Sequence, residues 1–337
     1  MRSPTLRSVL ILMLVLATFV VCACQPELSP EPTLIPSTAT NPALTEPDPT
    51  LAEPTPEPTQ AATEFTDGLG RVILLEGPAQ RIVSLAPSNT EILFALGAGG
   101  QVIGRDELSD YPAEALQVTS VGNTYGDLNT EAIVNLEPDL VLLAQINNPE
   151  HVTLLEDLGL TVYYLANPMG FDALNENLRI VGQLTGHEQE AQTLAQDLTT
   201  RVDAVLDAVA DAEPVRVYYE VDGTDPTAPW TVGQGTFQQV MFDLLKAENI
   251  AMDLEGWGQL GQEEIVSRNP EVMIFASGPW VPTTVETVQA RVGWEGVTAV
   301  AEGRVHAIDT NWVDRPGPRM VDALEAMARI FHPERFE

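Results

Sequence analysis

The sequence predicts an α/β fold: two Rossmann-like lobes with mainly parallel sheets, joined by a single long backbone α-helix, with a ligand cleft between the lobes. Three observations lead there. Short apolar runs alternate with helix-like segments from RIVSLA at residues 81–86 onward, the pattern of parallel strands joined by crossovers. Midway, apolar positions at 191, 194, 195, 198, 202, 205, 206 and 209 trace one face of a long helix. Residues 125–143, YGDLNTEAIVNLEPDLVLL, align without a gap to residues 257–275, WGQLGQEEIVSRNPEVMIF, which points to a duplicated unit on either side of that helix.

In chain order, residues 1–24 read as an export signal. Arg2 and Arg7 give a basic start, and Val9 to Ala23 is an apolar run of 15 residues, short for a spanning helix of about 20. The ending VVCAC resembles the lipobox of bacterial lipoproteins, which implies that Cys24 becomes the lipidated first residue and Cys22 leaves with the signal. Simple cleavage, or an uncleaved anchor, is the alternative. Residues 25–63 are rich in Pro, Thr and Glu and contain no basic or aromatic residue. They have too little apolar surface to bury and are expected to form a disordered, partly polyproline-like tether. Beyond residue 63 there is no cysteine, so the globule has neither a disulfide nor a thiolate metal site.

Residues 64–186 form the expected N-terminal lobe, with strands at RIVSLA, QVIG, DLVLLA and TVYYLA. TEILFALG, NTEAIVNL, HVTLLEDLG and FDALNENLRIVGQLTG read as the helices between and after them. Within this lobe SLAPSNTEILFALG, residues 84–97, has the grammar of strand, polar cap, helix and C-terminal glycine. It puts Ser88 and Asn89 at the carboxyl end of a strand, where open parallel sheets receive ligands. GAGGQV at 97–102 is no dinucleotide loop, because it follows a helix and ends in Val102; it reads as a helix C-terminus and turn. The bridging helix is expected over 187–211, starting near His187, and the C-terminal lobe over 212–337. At the constant 132-residue offset of the repeat, Tyr125 meets Trp257, Glu131 meets Glu263 and Pro138 meets Pro270.

The chain has 49 acidic and 16 basic residues, for a formal charge of −33. That excludes a sequence-independent grip on nucleic acid, which needs phosphate neutralisation. No phosphate-binding loop, nucleophile elbow or spaced histidine pair occurs, so no catalytic residue, metal site or cofactor is assigned. Aromatics are the better signal. Four of the five tryptophans stand beside Gly, Pro or polar residues, in APWTVG, EGWGQL, SGPWVP and TNWVDR. Tryptophans so placed often form binding surface. Trp230, Trp257, Trp312 and Tyr125 are therefore candidate cleft residues, with Trp280 a lesser one; packing between the lobes is the competing role. Arg315 and Arg319 in DRPGPR either answer an anionic ligand group or pair with Asp314 and Asp322.

RIVSLAPSNTEILFALGAGGQVIG, SDYP and GDLNTEAIVNLEPDLVLL together resemble the substrate-binding proteins of ABC importers for iron chelates and vitamin B12. The resemblance covers about residues 66–335. It implies two α/β lobes joined by a rigid helix and a ligand held between them. It also implies one acid per lobe, here Glu131 and Glu263, docking on arginines of a permease dimer, which is physically sensible for registering both lobes against a symmetric partner. The molecule would be a monomer on the extracytoplasmic face of the cell membrane, held by its lipid, and not an enzyme. Tyr125, Trp230, Trp257 and NWVDRPGPR fall at loops that match B12-binding members, and the sequence departs from them at Leu108. A cobalamin or other corrinoid is the favoured ligand, with a ferric siderophore or haem as alternatives. Anionic chelates favour cationic clefts, and only Arg105, Arg315 and Arg319 are candidates to supply that charge. From other classes, a hydrolase or chelatase would need a positioned nucleophile, base or metal, and a surface adhesin would use the fold only as a scaffold.

Overall fold

A β-hairpin opens the folded part. In this computed structural model, which describes residues 62–278, 281 and 283–336, β1 (Thr63–Thr66) pairs antiparallel with β2 (Val72–Leu75). Cys24 and nearly all of the expected tether lie outside the described residues. The hairpin has no alternating apolar signature, and the sequence reading passes over it. Asp67 organises its turn, accepting from the backbone N–H groups of Leu69 and Arg71 at 3.0 and 2.9 Å. The Tyr163 hydroxyl donates to Thr66 O at 2.9 Å and Gly68 N–H to Tyr164 O at 2.7 Å, which fastens the hairpin to the first lobe.

That lobe contains β3 (Ile82–Ser84), α1 (Pro87–Ala95), β4 (Val102–Arg105), β5 (Thr119–Ser120), α2 (Thr130–Asn135), β6 (Leu140–Ala144), α3 (Glu150–Asp157), β7 (Val162–Leu165) and α4 (Phe171–Thr185). Its parallel sheet runs β5-β4-β3-β6-β7. Every residue of β6 and β7 is buried, as expected of strands covered on both faces. Helix α1 starts earlier than the polar SNT triplet implies. Pro87 is among its first residues and Ala86 stands at the N-cap without a side-chain cap. Proline's fixed φ and missing N–H suit a first helical turn, so Ser88, Asn89 and Thr90 lie inside that turn instead of ahead of it. Gly97, at φ 81°, ends the helix in a conformation that disfavours any side chain.

Helix α5 (Glu188–Val209) follows. The second lobe then contains β8 (Val215–Glu220), β9 (Trp230–Val232), α6 (Phe237–Leu244), β10 (Ala247–Asn249), β11 (Trp257–Gln259), α7 (Gln262–Arg268), β12 (Val272–Ser277), α8 (Val285–Gln289), α9 (Thr298–Ala301), β13 (Val305–Asp309), α10 (Thr310–Val313) and α11 (Met320–Phe331). Its parallel sheet runs β10-β8-β12-β13, and β9 and β11 form a separate antiparallel pair. All eight apolar positions of the α5 face enter one cluster that also takes Leu178 and Val181 of α4 and Leu324 and Met327 of α11. One core thus continues from lobe to lobe beneath the helix. Arg201 of α5 adds bonds to Asp322 and Glu325 on α11 at 2.6 and 2.8 Å.

The duplication is structural. Helices α2 and α7 start at residues 130 and 262, and strands β6 and β12 at 140 and 272, so both keep the offset of the sequence repeat. Glu137 and Asn269, equivalent by that offset, have φ of 49° and 48°. Non-glycine residues seldom adopt this region, so its recurrence marks a shared helix-ending turn. In both sheets the first strand of the lobe, β3 or β8, lies inside the sheet, between β4 and β6 in one and between β10 and β12 in the other, and the chain order reverses there. Such reversal points open a crevice at the carboxyl ends of the strands.

Candidate functional site

The two crevices meet. A cavity of about 550 Å³ lies between the lobes, lined by residues that follow the carboxyl ends of both sheets. The first lobe supplies Pro87 and Ser88 from α1, Leu108 beyond β4, Tyr125 beyond β5, residues 144–146 at the end of β6, and Asn167 beyond β7. The second supplies Val221 after β8, Gln238 of α6, Trp257 of β11, and Thr310, Asn311 and residues 314–316 after β13. Tyr125 and Trp257, which the repeat pairs, face this one space from opposite lobes. Both remain exposed, at 40% and 46%, as does Ile146 at 51%. Broad apolar faces left open at a cavity are what a large ligand covers.

The polar lining is mostly uncharged: Ser88, Gln145, Asn167, Gln238, Thr310 and Asn311. Asp314 is the exception among acids. Its carboxylate accepts from the Tyr219 hydroxyl at 2.7 Å, Thr310 Oγ1 at 2.8 Å and Gln238 Nε2 at 3.0 Å. Burial pushes its carboxyl up, against the pull of these three donors. The Tyr125 phenol is pushed up to about 12, first by partial desolvation in the cleft and then by the charge of Asp106. It stays protonated at neutral pH.

Arg315 also lines the cavity, but its charge is committed. It bonds Asp110 at 2.7 Å, Glu91 at 3.3 Å and Leu108 O at 3.2 Å. Arg319 grips the same Glu91 with two nitrogens, at 2.9 and 2.5 Å, and lies 3.9 Å from the Tyr111 ring centroid. Glu91, on α1, has a side chain only 2% exposed. Burial is the largest influence on its carboxyl and pushes it up; both guanidiniums oppose that. This cluster crosses the lobe boundary directly beside the cavity. Arg105 is buried too, and donates to Ala115 O and Asp106 O at 2.9 and 2.8 Å.

Several expected cleft residues fall elsewhere. Trp230 sits on β9, beside the strand that carries Trp257, but is outside the set that lines the cavity. Trp312 packs against the large core and borders a separate space of about 350 Å³ with Ser277, Ala326 and Ile330. Asn89 is fully buried, and neither of its side-chain polar atoms has a partner; the helix turn directs it away from the cavity that its neighbour Ser88 lines. Arg315 and Arg319 pair with neither Asp314 nor Asp322, since Tyr219, Thr310 and Gln238 take the first and Arg201 the second. Trp280 lies outside the described residues. Glu131 and Glu263 are exposed, each in the first turn of its helix, α2 and α7, and neither joins an ion pair among the described residues. Gln145, Asn167 and Gln238 were missed. For the first two a signal existed, since they follow DLVLLA and TVYYLA at strand ends.

Residues 82–311 match the periplasmic binding protein family. The chain belongs to that family. Two relatives show how closely. A cobalamin-binding protein of Halobacterium salinarum is 33% identical over 277 residues, 79% of this chain and 73% of that one. The uncharacterized ABC transporter substrate-binding lipoprotein YvrC of Bacillus subtilis is 30% identical over 277 residues, 80% and 86% of the two chains. Among solved structures, the apo periplasmic heme-binding protein RhuT from Roseiflexus sp. RS-1 superposes with a TM-score of 0.68 at 27% identity, covering 76% of this chain and 99% of its own. Two lobes with parallel sheets and a long connecting helix are thus the family architecture in this binding protein, and its interlobe cavity lies where the repeat and the strand order converge.

Proposed function

We propose that this protein is the extracytoplasmic substrate-binding component of an ABC importer, that its ligand is a cobalamin or related corrinoid, and that the ligand sits between Tyr125 and Trp257. The observation that carries the ligand choice is electrostatic. The three arginines near the cavity are spent on protein carboxylates and carbonyls, while the lining offers amides, hydroxyls and aromatic faces. An anionic ferric chelate or haem would meet no free cation among the described residues, and an unpaired anion in a partly desolvated site is costly. A large ligand with an uncharged, amide-bearing rim meets matching groups. The cobalamin-binding relative supports the same choice. Titrating the purified full-length chain with cyanocobalamin, haem, a ferric catecholate and a ferric hydroxamate tests it. Tryptophan fluorescence should quench with the corrinoid at the lowest concentration, and preference for haem or the catecholate would refute the reading.

Delivery is proposed to use Glu131 and Glu263, one unpaired acid on each lobe. Both start helices that follow the segments bearing Tyr125 and Trp257, so they stand on the ligand side of their sheets. Lipidation at Cys24 and the tether of residues 25–63 would keep the monomeric binding protein at the membrane; replacing Cys24 by Ser should release it into the soluble fraction. No helix among the described residues is long and apolar enough to cross a membrane.

A further inference from the structure

The second lobe's wall of the cavity contains a carboxylate to which no cation among the described residues is bonded. Asp314, Thr310 and Gln238 line the space together, and Tyr219 stands behind them, fully buried. Among the described residues, three neutral donors meet the Asp314 carboxylate. Arg315, next in the chain, directs its guanidinium to Glu91, Asp110 and Leu108 O. Gln238 must turn Nε2 toward Asp314, because the flipped amide would set two acceptors against each other. Its Oε1 is then left without a partner, in a side chain only 1% exposed. Buried acceptors of this kind are normally satisfied. A carboxylate has about four acceptor positions, and three are used here. Asp314 therefore brings unmet acceptor capacity to the cavity wall, and the unpartnered Gln238 carbonyl lies buried beside it.

We propose that Asp314, with Gln238, is a specificity element that selects a ligand edge carrying a hydrogen-bond donor, a primary carboxamide, and rejects one carrying a carboxylate. The inference rests on the corrinoid reading and refines it. A corrin is rimmed by primary carboxamides, whereas haem presents two propionates. An amide N–H meets the free acceptor positions; a carboxylate at the same place adds like charge in a site of low dielectric. Gln145 and Asn167 on the opposite wall bond amides of either orientation and do not reverse the preference.

The test uses the full-length chain and cyanocobalamin against each of its separated monocarboxylates, in which one peripheral propionamide is hydrolysed to the acid. The wild-type protein should bind the parent on the order of tenfold or more tightly than at least one monocarboxylate. Asp314→Asn, of the same shape without the charge, should reduce that ratio to within about threefold while its thermal unfolding stays close to wild type. A wild-type ratio near one for every isomer overturns the proposal and needs no variant. So does a ratio that Asp314→Asn, folded, leaves unchanged. Absence of cyanocobalamin binding overturns the corrinoid reading instead. Selectivity is then read on haem against its dimethyl ester: preference for the ester supports the acceptor wall, and preference for the diacid overturns it as well.

Discussion

In the first lobe the chain leaves the second strand, β4, adds the short edge strand β5, and reaches Tyr125 in the loop before α2. In the second lobe nothing corresponds to β5; the chain instead makes the antiparallel pair of β9 and β11, and Trp257 lies on β11 before α7. The scaffold beneath is common. Strand order, the 132-residue offset and the left-handed turns at Glu137 and Asn269 recur. The lobes also differ in charge where they touch. The first supplies the acids, Glu91 and Asp110, and the second the two bases, Arg315 and Arg319. Duplication preserves what positions a helix N-terminus and an aromatic ring at a carboxyl edge. The connecting segments, free of that constraint, diverged to build two unlike walls and a lock between them.

The largest expected effect comes from breaking that lock. Glu91→Ala would leave the Arg319 guanidinium without its acid in a buried site, while Arg315 keeps Asp110, and should cost about 3–5 kcal/mol of unfolding free energy. Glu220→Ala, within the second lobe, strands Arg291, which holds Glu220 at 2.5 and 2.7 Å, and should cost a comparable amount. Denaturant unfolding of both variants sharpens the comparison. If the lobes share one cooperative core, each variant shifts a single transition; two separate transitions would show that the lobes are independent despite α5.

Next come the paired acids. Replacing Glu131 or Glu263 by Ala should lower uptake by on the order of tenfold, both together more, with ligand affinity within about twofold of wild type. Unequal effects in whole-cell uptake would show that one lobe dominates docking. Tyr125→Ala and Trp257→Ala probe the two walls. Each should weaken corrinoid binding by about 2 kcal/mol, roughly thirtyfold, measured by calorimetry; a large loss for one and none for the other would mean that the ligand rests on a single lobe.

The smallest effect is a pH slope. An acid whose pKa is raised on folding binds its proton more tightly in the folded state, so stability is lost as pH rises through the window between the two values. For Tyr125 that window runs from 10.0 to about 12. Tyr125→Phe should flatten the decline of stability there, read as the difference between variant and wild-type unfolding midpoints at successive pH values.

Local pattern was enough for part of this molecule. The α5 face was legible because burial on one side of a helix imposes a spacing that appears in the residues themselves. The parallel strands were legible because burial on both faces makes continuous apolar runs. Tyr125 and Trp257 were legible as a pair because the repeat preserves register. What the sequence alone left undetermined depends on contacts remote in the chain. Arg315 stands 224 residues from Glu91, and no spacing rule links a carboxylate to a guanidinium that the fold brings beside it. Trp230 and Trp312 share the Gly- and Pro-rich context of Trp257, yet context does not say which way a ring turns; the three-residue strands β9 and β11 and the packing of α10 beside α11 decide that. Asp314 became a feature of the cavity wall only when Tyr219, Thr310 and Gln238 closed around it. Periodicity records which surface is buried, while the partner of a buried charge is chosen by three-dimensional proximity, and only the tertiary structure supplies it.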